Sequence, residues 1–356
     1  MRIAYIAEII PSIFRGVLNK IVSQVEAWIS LGHEARIFLV TSERFTLNSG
    51  PKIEMFTFRL ASFFPRRTQV YMNKILSASS LKKALIEYQP DIIYYRQGMW
   101  YPGLEKVLSV APFVIEINTY DEGELKGVRK FFNRLTRNRI YRKAKALIVV
   151  TEELSNILEC ISKPIFVATN GYDTSKVIPR PVPHNERPQL IFVGTPGMPW
   201  HGVDKIIVMA SLLPEFEFHL VGPELGGSIP NNIKVHKFLD HEKLLALYQK
   251  IDVGVGTLAL HRKSMNQASP LKVREYLAFG LPVIIAYDDP DLRGCDFVLQ
   301  IPNEEDNVKK SLNKIKEFVL SWKGKSIPMD EVIRRIDLKQ KEAEKIAFLE
   351  NFCKSR

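Results

Sequence analysis

Apolar positions fall in two rhythms along the chain. Short runs in which nearly every residue is apolar, at 2–7, 35–40, 53–58, 91–95, 113–117, 146–150 and 165–168, are separated by stretches with helical spacing. Between the first two runs, Val17, Ile21, Val25 and Trp28 form one stripe of a helix that stops at Gly32. Continuous apolar runs mark strands covered on both faces, and the strand–helix–strand rhythm makes them parallel. Residues 1–172 are therefore predicted to form a doubly wound parallel sheet flanked by helices. A proline-studded stretch at 173–188 breaks the rhythm and reads as a stiff linker. The rhythm restarts at 190–193, 217–221, 233–238, 252–257, 282–286 and 297–301, giving a second α/β domain over 189–328. Residues 329–356 are charged and helical with no strand after them, and are expected to pack back on the N-terminal domain.

Within the second half, one short helix has both ends marked. Ser269 suits an N-cap, Pro270 the first helical position, Gly280 a left-handed stop, and Pro282 prevents resumption. The unpaired N–H groups around Leu271 and Lys272 and the positive end of the dipole make an anion site, to which Lys272 adds a full charge. Glu275 lies one turn deeper on the same face. A cation at a helix N-terminus with a carboxylate beyond it suits a nucleoside diphosphate, phosphates at Lys272 and ribose diol at Glu275. The plainer reading is a capped core helix with Lys272 and Glu275 as a surface ion pair.

The chain has 356 residues, 46% hydrophobic and 25% charged, which fits a globular protein of two cores. Cys160, Cys295 and Cys353 lie far apart, so no disulfide or zinc framework is expected. No apolar run approaches the ~18 residues that span a bilayer. Glu8 and Pro11 make the first segment a strand and not a targeting peptide. The net charge is +11, of which +9 falls in residues 1–172, so an anionic partner is expected on that side.

Residues 126–145 hold nine Lys/Arg and no acid, interleaved with Val128, Phe131, Phe132 and Leu135. They read as a basic amphipathic helix on an anionic bilayer, with Arg134, Arg137 and Arg142 as contacts, or as a helix whose apolar stripe packs on the sheet. A loop with Phe64 and Arg66 is a second membrane or acceptor candidate.

No GxGxxG, Walker loop, GxSxG or HExxH is present, and the histidines have no metal-ligand spacing. Asp289-Pro290-Asp291 matches the D-x-D of metal-dependent sugar transferases but reads as a turn, so no metal is expected. The loop Gly194 to Gly202, with His201, follows a strand directly and can flank a phosphate or serve as a proline-rich turn.

Several pieces, in order and spacing, resemble retaining GT-B glycosyltransferases of the family 4 type, known from bacterial glycan and polysaccharide synthesis. They are Gly16 before the first helix, Gly32-His33-Glu34, Asn170-Gly171-Tyr172-Asp173, Val193-Gly194 and Trp200-His201-Gly202-Val203-Asp204. Ser269-Pro270-Leu271-Lys272 through Glu275 to Gly280-Leu281-Pro282-Val283-Ile284 completes the set. The resemblance implies two Rossmann-like domains facing across a cleft, the first for acceptor and the second for donor. It implies hexosyl transfer from a UDP- or GDP-sugar, without cofactor or metal, to a glycan or lipid-linked acceptor and not to nucleic acid. The setting would be cytoplasmic, at the inner face of the membrane. By the same resemblance, Gly16, Gly194, Thr195, His201, Arg262, Ser269, Leu271, Lys272 and Glu275 contact the donor, and Lys272, Gln267 and Asn118 lie nearest the chemistry. The pattern departs from the family at four places. Its first glutamate falls on Gln267, its diphosphate-gripping Arg and Lys on Thr195 and His201, and its histidine on Asn118. Arg262, Lys263 and Lys272 are expected to replace the missing charge. Two other readings compete: a non-catalytic partner subunit that keeps the fold, and a sugar-nucleotide epimerase.

Overall fold

The computed structural model describes the chain except residues 44–49, 57–65, 126, 177–179, 224, 238 and 354–356, and except the side chains of 66, 67, 124, 129 and 176. The chain divides into two compact units, Met1–Ala168 with Leu338–Arg356, and Thr169–Asp337.

The first unit contains β1 (Arg2–Glu8), β2 (Glu34–Val40), β3 (Ile53–Phe56), β4 (Ile92–Arg96), β5 (Phe113–Ile117), β6 (Ala146–Val149) and β7 (Ile165–Val167). They pair in the order β3-β2-β1-β4-β5-β6-β7, every pairing parallel. Ile3 to Ala7 are fully buried, as a central strand covered on both faces requires. Trp28, on the helix Arg15–Ser30, packs against Tyr5 and Tyr94 at ring centroids 5.8 and 5.1 Å away.

The second unit contains β8 (Gln189–Val193), β9 (Glu217–Val221), β10 (Ile233–His236), β11 (Val253–Val255), β12 (Val283–Ile285) and β13 (Val298–Gln300), ordered β10-β9-β8-β11-β12-β13 and again all parallel. The strand order reverses direction at β8, between β9 and β11. The crevice at the carboxyl ends of such strands is where open α/β sheets bind ligands.

The unit boundaries differ from those expected. Asn170 to Asp173 belong to the second unit, where Tyr172 donates its N–H to Ile336 O at 2.8 Å and Thr174 its hydroxyl to Asp337 at 2.8 Å. The helix Met329–Ile336 stays with that unit because Val332 and Ile336 are buried there. Only from Leu338 does the chain join the first unit. There Ile346 and Leu349 enter the core, and Trp28 donates its indole N–H to Glu342 at 2.7 Å. Glu342 is itself paired with Lys345 at 2.6 Å, and both are buried. No helix among the described residues is long and apolar enough to cross a membrane.

Candidate functional site

The helix Leu271–Ala278 lies close to the second sheet because two glycines on and after β11 leave room for it. A Cβ on Gly254 would stand 2.5 Å from the Tyr276 ring, and one on Gly256 3.1 Å from Val273. Tyr276 in turn accepts the Val193 N–H at 2.8 Å, which pins the helix to the end of β8. With Val273, Arg274, Tyr276 and Leu277 turned inward, Lys272 and Glu275 are left on another side.

The N-terminus of this helix is built differently from the sequence expectation. Pro270, extended at φ −74° and ψ 138°, is the capping residue, and Ser269 does not cap. Its hydroxyl accepts instead from the Asn170 N–H at 2.9 Å and the Arg274 guanidinium at 2.8 Å. Arg274 is fully buried, so its donors must be met internally, and the serine hydroxyl is one of the acceptors it draws in. Pro270 O accepts from the Val273 and Arg274 N–H groups, while Leu271 and Lys272 present the first two amides of the helix.

Lys272 and Glu275 are not an ion pair. The Lys272 ammonium lies 4.1 Å above the Phe192 ring and is buried without a hydrogen-bond partner. Burial pushes its pKa from 10.5 down to about 7. Burial also pushes the Glu275 carboxyl from 4.5 up to about 7, the Tyr248 hydroxyl opposing it. His201 packs edge-on against the same Phe192 ring at 5.5 Å, and its Nδ1 is likewise buried without a partner. Burial, then the charges of Lys272 and Lys263, hold its pKa far below the usual range, so the ring is a neutral hydrogen-bonding group. Gly194 completes the wall, since a Cβ there would reach 2.6 Å from Phe192 and 2.9 Å from His201 Nδ1. Gly222, at φ +94°, approaches Gly194 O so closely that a Cβ would lie 2.2 Å away. Thr195 is exposed at the start of the loop. A buried cation in the first turn of a helix and a buried imidazole nitrogen, both unpaired and both packed on the Phe192 ring, suit a polyatomic anion.

The other expected residues are distributed as follows. Gln267 donates to Asp288 at 2.9 Å, which brings a carboxylate beside the position where the family pattern has a glutamate and this chain has none. Arg262 does not reach the anion site. Asp204 takes its guanidinium in two bonds, at 2.8 and 2.7 Å, and Glu305 binds it as well, because an acid on each side competes for the charge. Lys263 lies 4.8 Å from the Trp200 ring centroid. Asp289 and Asp291 both bind Arg274, at 2.7–2.8 Å for the first and 2.7 Å for the second. Among the described residues no group of three or more His, Cys, Asp or Glu is placed to hold a metal ion. Sequence reasoning missed Arg274, Phe192 and Tyr248. The acid–Pro–acid turn was a signal for a buried cation, but nothing local identified Arg274 as that cation.

In the first unit, Asn118 accepts from Lys20 at 2.6 Å and leaves Nδ2 buried and unpartnered. It lines a cavity of about 190 Å³ with Arg96, Gln97, Glu116, Asp121 and Asn133. Burial raises the Glu116 carboxyl, but Lys20 and Arg96 outweigh it and hold the pKa well below the carboxylate range. Gly16 is exposed in the first turn of its helix, without the positive φ that only glycine favours. The basic helix spans Gly127–Lys143. Two of its three expected contacts are engaged within the unit. Arg134 binds Glu122 at 2.9 Å, and Arg137 binds Asp121 at 2.6 Å and Glu122 at 2.7 Å, since the preceding turn places acids beneath them. Arg142 is exposed. Phe64 and the Arg66 side chain lie outside the described residues.

Two parallel sheets of this order with flanking helices are those of the GT-B fold. The sequence model of Glycosyltransferase Family 4 matches residues 15–176, a little under half of the chain, and the fold is that of GT-B glycosyltransferases. The fold is similar to sucrose-phosphate synthase from Thermosynechococcus elongatus, at TM-score 0.72 and 12% identity over 99% of this chain and 98% of that one. A glycosyltransferase from Rickettsia africae ESF-5 gives TM-score 0.65 and 13% identity over 99% and 98%. An α-glucosyltransferase in complex with UDP and a 13-mer DNA gives 0.67 and 12% over 98% and 99%. No curated protein matches the chain in sequence.

Proposed function

We propose that the protein transfers a hexosyl group from a nucleoside-diphosphate sugar to a glycan or lipid-linked acceptor, with retention and without a metal. The observation that carries this reading is the unpaired, buried Lys272 ammonium at the N-terminus of Leu271–Ala278, with the Glu275 carboxyl one turn deeper. In this reading the diphosphate meets the Leu271 and Lys272 amides, Lys272 and His201, and the ribose diol meets Glu275. The bond from the anomeric carbon to the leaving phosphate oxygen breaks, and the acceptor hydroxyl oxygen bonds to that carbon from the same face. Its proton passes to the departing phosphate. Charge grows on the leaving oxygen as the bond breaks, so the fixed ammonium stabilises the transition state beyond the ground state. Gln267, oriented by Asp288, is assigned to the sugar hydroxyls. The acceptor is assigned to the first unit, at the Asn118 cavity. The similar α-glucosyltransferase was solved with UDP, which supports a nucleotide donor; its DNA belongs to that protein.

The test incubates the protein with UDP- and GDP-sugars and extracted membrane glycolipids in EDTA, reading nucleoside diphosphate release and the anomer formed. Acceptor-dependent release of an α-linked product from an α-linked donor is expected. Turnover that chelator abolishes and Mg²⁺ restores would refute metal independence. Tight nucleotide binding with no turnover on any acceptor would favour a non-catalytic partner subunit, the reading that Gln267 in place of an acid supports.

A further inference from the structure

The helix Gly127–Lys143 has an outer face that nucleotide binding does not use. Its inner side is Asn133, Thr136, Ile140 and Tyr141, all buried. Outward stand Val128, Phe131 and Leu135, 84, 66 and 60% exposed. Arg139 and Arg142 continue the same stripe. At 100° per residue these five positions fall within an arc of about 80°. One end of the face is therefore apolar and the other cationic. Three large apolar side chains side by side on one exposed helix stripe are not an ordinary solvated surface.

The surrounding charge selects the occupant. Acids are present near this helix, but they are used beneath it: Glu122 and Asp121 hold Arg134 and Arg137, and Glu105 holds Arg139 and Lys143. Arg142 and Lys145 are exposed and carry no ion pair among the described residues. Segment 126–145 has no acid of its own. A surface that combines insertable apolar side chains with uncompensated cations is complementary to a negatively charged leaflet.

We propose that this face docks the protein on an anionic lipid surface, the helix lying in the interface plane with Val128, Phe131 and Leu135 inserted. Arg142, left without an ion pair among the described residues, then stands at the phosphate level, its aliphatic stem lying along the apolar boundary. The contact moves away from Arg134 and Arg137 and is led by apolar insertion, with charge as the second signal. It is independent of the donor site and stands or falls separately from the transferase reading.

The test sediments the full chain with vesicles of phosphatidylglycerol and phosphatidylcholine, and with phosphatidylcholine alone. Wild type is expected to bind the anionic vesicles and to weaken as salt rises. The double substitution Phe131→Ser, Leu135→Ser should lower the partition at least about tenfold, since each side chain loses its burial in the acyl boundary. Val128→Ser should lower it in the same direction, and Arg142→Gln with Lys145→Gln should reduce the preference for anionic lipid. All the positions are exposed, and an unchanged melting curve checks that the fold is kept. Wild type that ignores anionic vesicles at low salt, or a double variant that binds as wild type does, overturns the proposal. A wild type that self-associates, with a monomeric double variant, would assign the face to a second copy instead.

Discussion

Replacing Lys272 with methionine should move stability and activity in opposite directions. In the unliganded protein the ammonium is buried, over Phe192, with no hydrogen-bond partner. A drop in pKa from 10.5 to about 7 corresponds to about 5 kcal/mol withheld from folding, at 1.36 kcal/mol for each tenfold change in proton affinity. The sign follows from linkage. The folded pKa is depressed, so stability with respect to this group is full above pH 10.5, falls as the pH drops towards 7, and is level below. Methionine is close in length, keeps helix propensity and packs well on an aromatic ring. Lys272→Met should therefore raise the melting temperature by several degrees at pH 6, with the gain shrinking at pH 9. In the proposed reaction the same substitution removes the charge that faces the leaving group, so kcat should fall about 10²–10³-fold, as for loss of one preorganised donor. Differential scanning calorimetry at the two pH values, with steady-state kinetics on the identified donor, checks both halves. A variant that is less stable at pH 6 and has normal kcat would show that Lys272 is a structural residue.

Glu275→Ala should weaken nucleoside diphosphate binding at pH 8 by about 1.5–3 kcal/mol for each charge-assisted bond to the ribose lost, measured by calorimetry. Because burial raises this carboxyl from 4.5 to about 7, its ionisation costs the unliganded fold stability as pH rises through 7, so the variant should also melt higher than wild type at pH 8. Arg274→Met should destabilise the second unit by about 3–5 kcal/mol, because it leaves Asp289 buried and unpaired; an unchanged melting curve would contradict that assignment.

The central strands were legible because parallel sheets covered on both faces need continuous apolar runs, as at β1, β6 and β12, whereas the edge strand β10 holds Lys234 and His236 and is partly exposed. The helix carrying Lys272 was legible from its stop signals, Gly280 at φ +78° and Pro282 beyond it. Long-range polar pairing was not. Ser269 looked like a cap because nothing near it announced that Arg274, five residues on, would be buried and take its hydroxyl. Arg262 looked free because its partners Asp204 and Glu305 are 58 and 43 residues away. The proline-rich stretch looked like a linker, yet Arg180 donates to Lys325 O and Asn185 to Asp252, which hold it in the second unit. The last helix was expected on the first unit and lies there from Leu338, but the pair that seats it was not legible: Glu342 and Lys345, charged residues three apart, are buried together against Trp28 and Tyr94.

The central claim is that the N-terminus of Leu271–Ala278 takes the diphosphate of a nucleotide. Titration calorimetry of UDP, GDP and TDP at pH 8, repeated in buffers of different ionisation enthalpy, tests it most directly. One nucleotide should bind with one-to-one stoichiometry and take up close to one proton, because the diphosphate raises the pKa of a Lys272 that is mostly neutral at that pH. Absence of binding by all three at millimolar concentration, or binding with no proton uptake, would contradict the assignment of the site.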